Sequence, residues 1–382
     1  MIKTLPPLAL YVHIPWCVRK CPYCDFNSHQ ARDELPEQAY LDALLRDLAY
    51  EADILAANHS LRPLSSIFFG GGTPSLMQPA TIGRVIAEAK ALLGFSEDIE
   101  ITLEANPGTV DYEKFDGLNT TGVNRLSIGI QSFDPVHLEH LGRIHSRDEA
   151  VKAVERARLA GFSNLNLDLM FGLPGQTGEQ AIDDLRIATE LNPEHLSWYQ
   201  LTIEPNTEFY RHPPQLPEDD TLWQMHQTGI DFLAKAGYAQ YEVSAYAKEQ
   251  RHSKHNLNYW QFGDYIAIGA GAHGKSTDLA SGNVQRYWKT RLPQHYLARV
   301  DNYRAGSEII ADEDLPFEFM MNGLRLRQGM SSDAFEIRTG LKLSALEPTL
   351  STLREQGLLH SDRLQCTEQG YLYLNDVLQR FM

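Results

Sequence analysis

The 382-residue sequence predicts an α/β protein, a partial (β/α)6 barrel carrying an extension and a small C-terminal unit of winged-helix type. Three observations predict it. From residue 8 to about 202, short β-rich runs alternate with amphipathic segments, the pattern of a parallel sheet joined by crossover helices. Each run ends in Gly, Pro or polar residues, as strands do at a rim. Within that stretch no dinucleotide fingerprint marks the switch point of an open sheet, which favours a barrel or partial barrel.

The runs read as strands are Leu8–Pro15, Ser66–Gly70, Ile99–Ala105, Arg125–Gln131, Asn164–Met170 and His195–Leu201. The clearest helix is Pro36–Leu55, where Tyr40, Leu41, Leu44, Leu45 and Leu48 repeat at helical spacing beside Asp42, Arg46 and Asp47. Residues 1–205 form the six-unit core and residues 206–290 an extension completing it, rather than another βα unit. The extension holds a Pro-rich stretch, His212–Pro217, a helix at Asp219–Ala236, the segments Tyr241–Tyr246 and His255–Trp260, and a strand leading into the glycine-rich turn Gly269–Gly274. Residues 291–382 make the last unit, with helical patterns at Pro316–Leu326 and Leu346–Gln356, a short hairpin and a final helix at Glu368–Phe381. That order resembles a winged helix. Its ten Lys and Arg against thirteen Asp and Glu argue for packing or partner contact over DNA binding.

Composition bounds the partners. A hydrophobic fraction of 43% with 22% charged residues is a normal globular balance. The formal charge of −16 opposes nucleic acid and anionic lipid surfaces. No apolar run reaches the roughly 18 to 20 residues that span a bilayer. Met1 to Pro15 lacks the apolar core of a secretory signal, so the expected location is cytoplasmic and the cysteines stay reduced.

Three of the four cysteines fall within Cys17-Val-Arg-Lys-Cys21-Pro-Tyr-Cys24, on the loop leaving the first strand. Thiolates are the preferred ligands of iron–sulfur clusters, and three of them hold a four-iron cluster with one iron open to a small molecule. The rival is a tetrahedral zinc site of three cysteines with His13 or His29, although such sites are usually built from separated ligand pairs. Cys366 stands alone and reads as a small buried hydrophobe.

The next strand leads to Gly70-Gly71-Gly72-Thr73-Pro74. Three glycines strip side chains from the edge, so backbone groups can reach an amino-acid-like ligand. The Lys-Ser/Thr ending of a nucleotide P-loop is absent. The other strands lead to Glu104, Gln131, Asp168 and Thr202, which places polar groups at one rim, where barrels keep their chemistry.

The paired cysteine and glycine motifs look like the radical S-adenosylmethionine superfamily, whose fold is the partial (β/α)6 barrel. Within it, Tyr11–Cys17, Phe69–Pro74, Glu104–Gly108, Ile128–Phe133, Leu141–His145 and Asn166–Pro174 resemble the oxygen-independent coproporphyrinogen oxidase group nearly from end to end. The similarity is greatest to the HemW branch of haem chaperones, whose His-Asn-x-x-Tyr-Trp motif is matched by His255–Trp260. The resemblance implies a 4Fe-4S cluster on Cys17, Cys21 and Cys24. It implies an S-adenosylmethionine site in which Gly71, Gly72 and Thr73 meet the amino end, Tyr11 and Tyr23 line the pocket, and Glu104 and Asp168 accept hydrogen bonds. Gln131, Arg143 and Thr202 complete its walls. For Arg143 the alternative is an ion pair with Glu139 four residues earlier.

The same resemblance implies haem as cargo, with His255 the candidate haem residue and His273 a weaker one. Haem-accepting proteins, respiratory enzymes among them, are the implied partners, and a homodimer the implied assembly. True coproporphyrinogen oxidases continue Cys-Gly-Cys after the third cysteine, whereas this chain continues Cys24-Asp25-Phe26. Haem chaperone is therefore the leading expectation. The alternatives are a coproporphyrinogen III oxidase acting by radical decarboxylation, and a zinc-stabilised interaction module.

Overall fold

A computed structural model describes residues 2–31, 34–109 and 113–382. Six parallel strands follow one another in space as in sequence: β1 (Leu8–Ile14), β2 (Leu64–Gly71), β3 (Phe95–Ala105), β4 (Arg125–Gln131), β5 (Leu165–Phe171) and β6 (His195–Gln200). Strands β1, β4 and β5 are buried almost throughout, which is why they read as apolar runs with little alternation: the crossover helices cover one face and the barrel interior the other.

Three of the connecting helices show their sequence origins directly. Glu37–Ala57 lays Tyr40, Leu41, Leu44 and Leu48 on the sheet. Arg147–Leu159 starts at a capping box of Ser146 with Glu149, and Gly178–Glu190 at one of Thr177 with Gln180.

The rest of the chain widens this sheet at both ends. Beyond β6 come the short strands β7 (Ala239–Glu242) and β8 (Ala245–Ala247), antiparallel, with β8 against β6. At the other end β9 (Asp264–Ile268) lies parallel to β1, and an antiparallel ribbon follows through β10 (His273–Thr277), β11 (Val284–Lys289) and β12 (Arg304–Ile309). The twelve-stranded order is β12-β11-β10-β9-β1-β2-β3-β4-β5-β6-β8-β7, so the sheet curls without closing.

The extension thus supplies a seventh parallel strand, which its separation from the βα repeat did not anticipate. The partner of β9 lies some 250 residues earlier in the chain, and no local pattern announces such a pairing.

A buried charge cluster ties the ribbon to the first helix. Lys289 reaches both Asp47 and Glu51, Tyr296 donates to Asp47 at 2.7 Å, and Arg304 grips both oxygens of Glu51 at 3.0 and 2.6 Å.

A second apolar core gathers Phe262, Val284, Leu315, Phe319, Phe335 and Leu350. Around it stand the helices Leu315–Gly323, Ser332–Thr339 and Thr349–Glu355 and a wing made by the bridges Met330↔Leu364 and Leu359↔Cys366, a winged-helix arrangement. The sequence reading missed Ser332–Thr339, whose apolar residues make no clear stripe. The final helix is broken at Tyr373 into Glu368–Leu372 and Leu374–Gln379.

Candidate metal and cofactor site

After β1 the chain makes a two-residue parallel ladder, Trp16 beside His29 and Cys17 beside Gln30, which closes the cysteine loop at its base. A tight turn donates Cys24 N–H to Cys21 O at 3.2 Å. The tail is pinned from two sides. Lys20 Nζ donates to the carbonyls of Phe26 and Ser28, both at 3.2 Å, and Asn27 Nδ2 donates to those of Ala270 and Arg291 at 2.9 and 2.8 Å.

Cys17, Cys21 and Cys24 are free thiols, half-buried; Cys366 is buried in the C-terminal core. Burial pushes the Cys17 thiol up, and hydrogen bonds to Thr73 and Ser28 pull it back.

Among the described residues no three His, Cys, Asp or Glu side chains gather tightly enough for a single metal ion. His13, a zinc ligand in the rival reading, has both ring nitrogens engaged, Nδ1 with Tyr11 OH at 3.1 Å and Nε2 with Asn27 O at 2.9 Å. Three free thiols on one loop fit a cluster, in which each thiolate would take a different iron corner.

The glycine turn packs directly on the exit from β1. Gly71 has φ +108°, and a Cβ there would fall 2.4 Å from the His13 ring; one on Gly72 would fall 2.5 Å from Trp16 O. Three successive N–H groups are already committed: Gly71 to Glu104 Oε2 at 3.2 Å, Gly72 to Ile14 O at 2.7 Å and Thr73 to Trp16 O at 2.8 Å. The turn is therefore no anion nest. What it has left for a ligand is acceptors, which suits an ammonium group.

Around it the strand ends converge. Glu104 is half-buried, and burial together with the negative charge of Asp168 pushes its carboxyl up to about 8. Asp168 accepts from Ser127 Oγ at 2.8 Å and Asn166 Nδ2 at 2.9 Å. Arg143 turns inward instead of toward Glu139: its guanidinium donates to Asn106 Oδ1 at 2.7 Å, to Gly129 O, and to Cys21 Sγ at 3.9 Å.

Gln131 has φ +64° at the end of β4, and its buried Oε1 has no hydrogen-bond partner among the described residues, as is true of Arg143 Nε. Tyr23 lies by Phe209, with Cys21, Cys24, Arg143 and Tyr199 as its electrostatic neighbours, and Tyr11 stacks on Phe68. Thr202 is exposed past β6 and donates to Glu204 at 2.9 Å.

His255 is 1% exposed. Its Nδ1 pairs with Ser66 Oγ at 2.9 Å and its Nε2 with Tyr259 OH at 3.0 Å, and burial lowers its pKa to about 3. As folded, the ring is neutral and satisfied, and contact with a haem iron requires one of these bonds to break. His273, by contrast, is exposed.

One residue and one hydrogen-bonded chain escaped the sequence reading. Asn106 bridges Thr73 Oγ1, at 3.0 Å, and Arg143; it lies within Glu104-Ala-Asn-Pro-Gly108, where the sequence gives its amide no evident role. A hydrogen-bonded chain also runs from Asp168 through Asn166, His195 and Tyr241 to the backbone N–H of Ser253, which caps the helix Lys254–Trp260. Only the fold brings its members together.

An open barrel with three free thiols beside a glycine edge defines a radical S-adenosylmethionine protein. The Radical SAM superfamily model matches residues 11–188 and the HemN C-terminal domain model residues 310–373. Coproporphyrinogen III oxidase HemN from Escherichia coli shares the fold, with a TM-score of 0.81 at 24% identity over 99% of this chain and 90% of that one.

Full-length relatives then narrow the class. The chain is 50% identical to the heme chaperone HemW of Haemophilus influenzae, covering 99% of this chain and 98% of the relative, and 48% identical to that of Escherichia coli over the whole of both. It belongs to the HemW family.

Proposed function

We propose that this protein is a haem chaperone that binds a 4Fe-4S cluster on Cys17, Cys21 and Cys24, binds S-adenosylmethionine beside it, and passes haem to acceptor proteins. When bound, the cluster would supply low-potential electrons, and S-adenosylmethionine would bring a reducible sulfonium while its methionine end chelates the open iron. The chain's own part is positioning. The acceptors left on Gly71–Thr73, with the Glu104 carboxylate, suit the ammonium of the methionine end, while Asp168, Gln131, Arg143, Thr202, Tyr11 and Tyr23 bound the rest of the pocket.

The observation that carries the reading is Phe26. It stands two residues after the third cluster cysteine, where the oxidase pattern has another thiol, and its exposed ring borders an aromatic cavity instead. A phenyl group can neither ligate metal nor move a proton, so it supports carriage of a flat apolar cargo over decarboxylation. Among the described residues no helix is long and apolar enough to cross a membrane. Free thiols support a cytoplasmic setting. The proposal includes respiratory haem enzymes as acceptors and pairing into a homodimer, which light scattering would show as a doubled mass.

Haem-loaded protein mixed with an apo respiratory haem protein tests it. Transfer of the Soret band to the acceptor, with no decarboxylated product from coproporphyrinogen under reducing conditions, is expected; turnover of coproporphyrinogen without transfer would replace the chaperone by the oxidase.

A further inference from the structure

Beside the cysteine loop lies a cavity of about 590 Å³, within the usual range for small-molecule and cofactor sites. Tyr11 and His13 of β1, Tyr265 of β9 and Asn322 of the helix Leu315–Gly323 line it together with three further elements. The tail of the cysteine loop gives Phe26 and Asn27, the end of the helix Lys254–Trp260 gives Tyr259 and Trp260, and the β10–β11 ribbon gives its inward face. Register defines that face: His273 lies opposite Trp288 and Lys275 opposite Arg286, so with two-residue alternation all four point the same way. The ribbon's distance from the cysteine loop is set by Asn27, which packs so closely on Gly271 that a Cβ there would lie 2.2 Å from its amide nitrogen.

Most polar groups in this cavity are already engaged. Lys275 Nζ donates to Asp264 Oδ1 and to Phe262 O, both at 3.3 Å, and Arg286 is paired with Glu318. His13 is held at both nitrogens, as is His255 just behind Tyr259. His273 is different: it is exposed, and no protein group hydrogen-bonds its ring among the described residues. Arg291 donates through Nε to Asn27 Oδ1 at 3.2 Å, and its guanidinium end lies at the surface.

Aromatic walls, one unengaged imidazole and an exposed guanidinium match a flat macrocycle with an iron to ligate and carboxylates at its edge. We propose, resting on the haem-carrier reading above, that this cavity is the haem seat, that His273 and not His255 ligates the iron, and that Arg291 faces the propionates. Partial desolvation at the cavity's edge and the nearby Arg286 and Arg291 lower the His273 pKa, which keeps the imidazole neutral and able to coordinate at pH 7. The seat shares Phe26 and Asn27 with the cluster loop, so cargo and cluster touch a common segment.

The test titrates ferric haem into anaerobically reconstituted full-length protein, following quenching of tryptophan emission for affinity and the Soret band and electron paramagnetic resonance for the iron ligand. H273A and H273Q should each weaken binding at least about tenfold, since even a partner that only orients a ligand is worth that much. Both should alter the spectra of bound haem, added imidazole should restore those of H273A, and iron–sulfur content should not change. H255A should keep the wild-type ligand signature. Unchanged haem spectra in H273A, or loss of the signature in H255A alone, would overturn the assignment while leaving haem carriage standing. Wild-type protein that takes up no haem would overturn both.

Discussion

Asn27 and Gly271 are in contact across the seam between the cysteine loop and the extension, and the Asn27 amide spans that seam with donations to Ala270 O and Arg291 O. Two separately encoded parts of the chain, some 240 residues apart, are thereby fastened at the edge of the metal site.

Breaking this fastening should be felt at the cluster. Asn27→Ala strips a donor from two carbonyls, a loss of about 1–3 kcal/mol. Gly271→Ala adds a Cβ at φ +80° against the same amide, with a cost of similar size, about 1–3 kcal/mol. Denaturant unfolding should register both, and iron retention after gel filtration should fall in each. Full retention in both would show that the tether does not support the loop.

Glu104 sets a pH dependence. Its folded pKa of about 8 lies above its ordinary carboxylate value, so between roughly pH 4.5 and 8 the folded state holds a proton that the unfolded state has released, and stability falls as pH rises through that window. Glu104→Gln should flatten this slope and raise stability at pH 8. An ammonium ligand favours the ionised carboxylate, so S-adenosylmethionine should bind wild type more tightly at pH 8 than at pH 6, with net proton release in calorimetry across two buffers. The variant should lose that pH dependence. A slope unchanged in Glu104→Gln would remove the carboxyl from the account.

Lys289 holds two buried carboxylates in place. Lys289→Met leaves Asp47 without a cation, while Glu51 keeps Arg304, and the uncompensated charge should cost about 3–5 kcal/mol. Burial raises the Asp47 pKa to about 6 against the pull of Lys289, so without the lysine it rises further and protonation becomes the relief. The variant should lose less stability at pH 5 than at pH 8, and Asp47→Asn added to it should recover part of the difference. Equal losses at the two pH values would exclude the uncompensated charge as the cause.

The thiols divide three to one. Cys17→Ser, Cys21→Ser and Cys24→Ser should each reduce iron from about four per chain to near zero, because a cubane held at three corners does not survive the loss of one. Cys366→Ser, in the C-terminal core, should keep full iron and change only stability. Iron content that tracks Cys366 would contradict the assignment.

The rim was readable because strands covered on both faces appear as apolar runs, and their ends appear as polar or glycine punctuation. Glu104, Gln131 and Asp168 were visible for that reason. Arg143 was undecided in sequence, since helical spacing to Glu139 was equally good; the turn after the helix Pro135–His140 sends it inward to Asn106 and Cys21.

The haem motif was readable as a string but not as an environment. Burial of His255 between Ser66 and Tyr259 depends on β2, about 190 residues away. His273 became prominent only when the register against Trp288 turned it into a cavity. The charge cluster of Asp47, Glu51, Lys289 and Arg304 had no local signature either, because its members come from a helix and two strands of distant sequence.

Anaerobic reconstitution with iron and sulfide, followed by electron paramagnetic resonance of the reduced protein with and without S-adenosylmethionine, tests the open-corner cluster most directly. Four iron atoms per chain and a reduced-cluster signal that shifts when the cofactor is added are the predicted result. Zinc in place of iron, or a signal indifferent to S-adenosylmethionine, would contradict it.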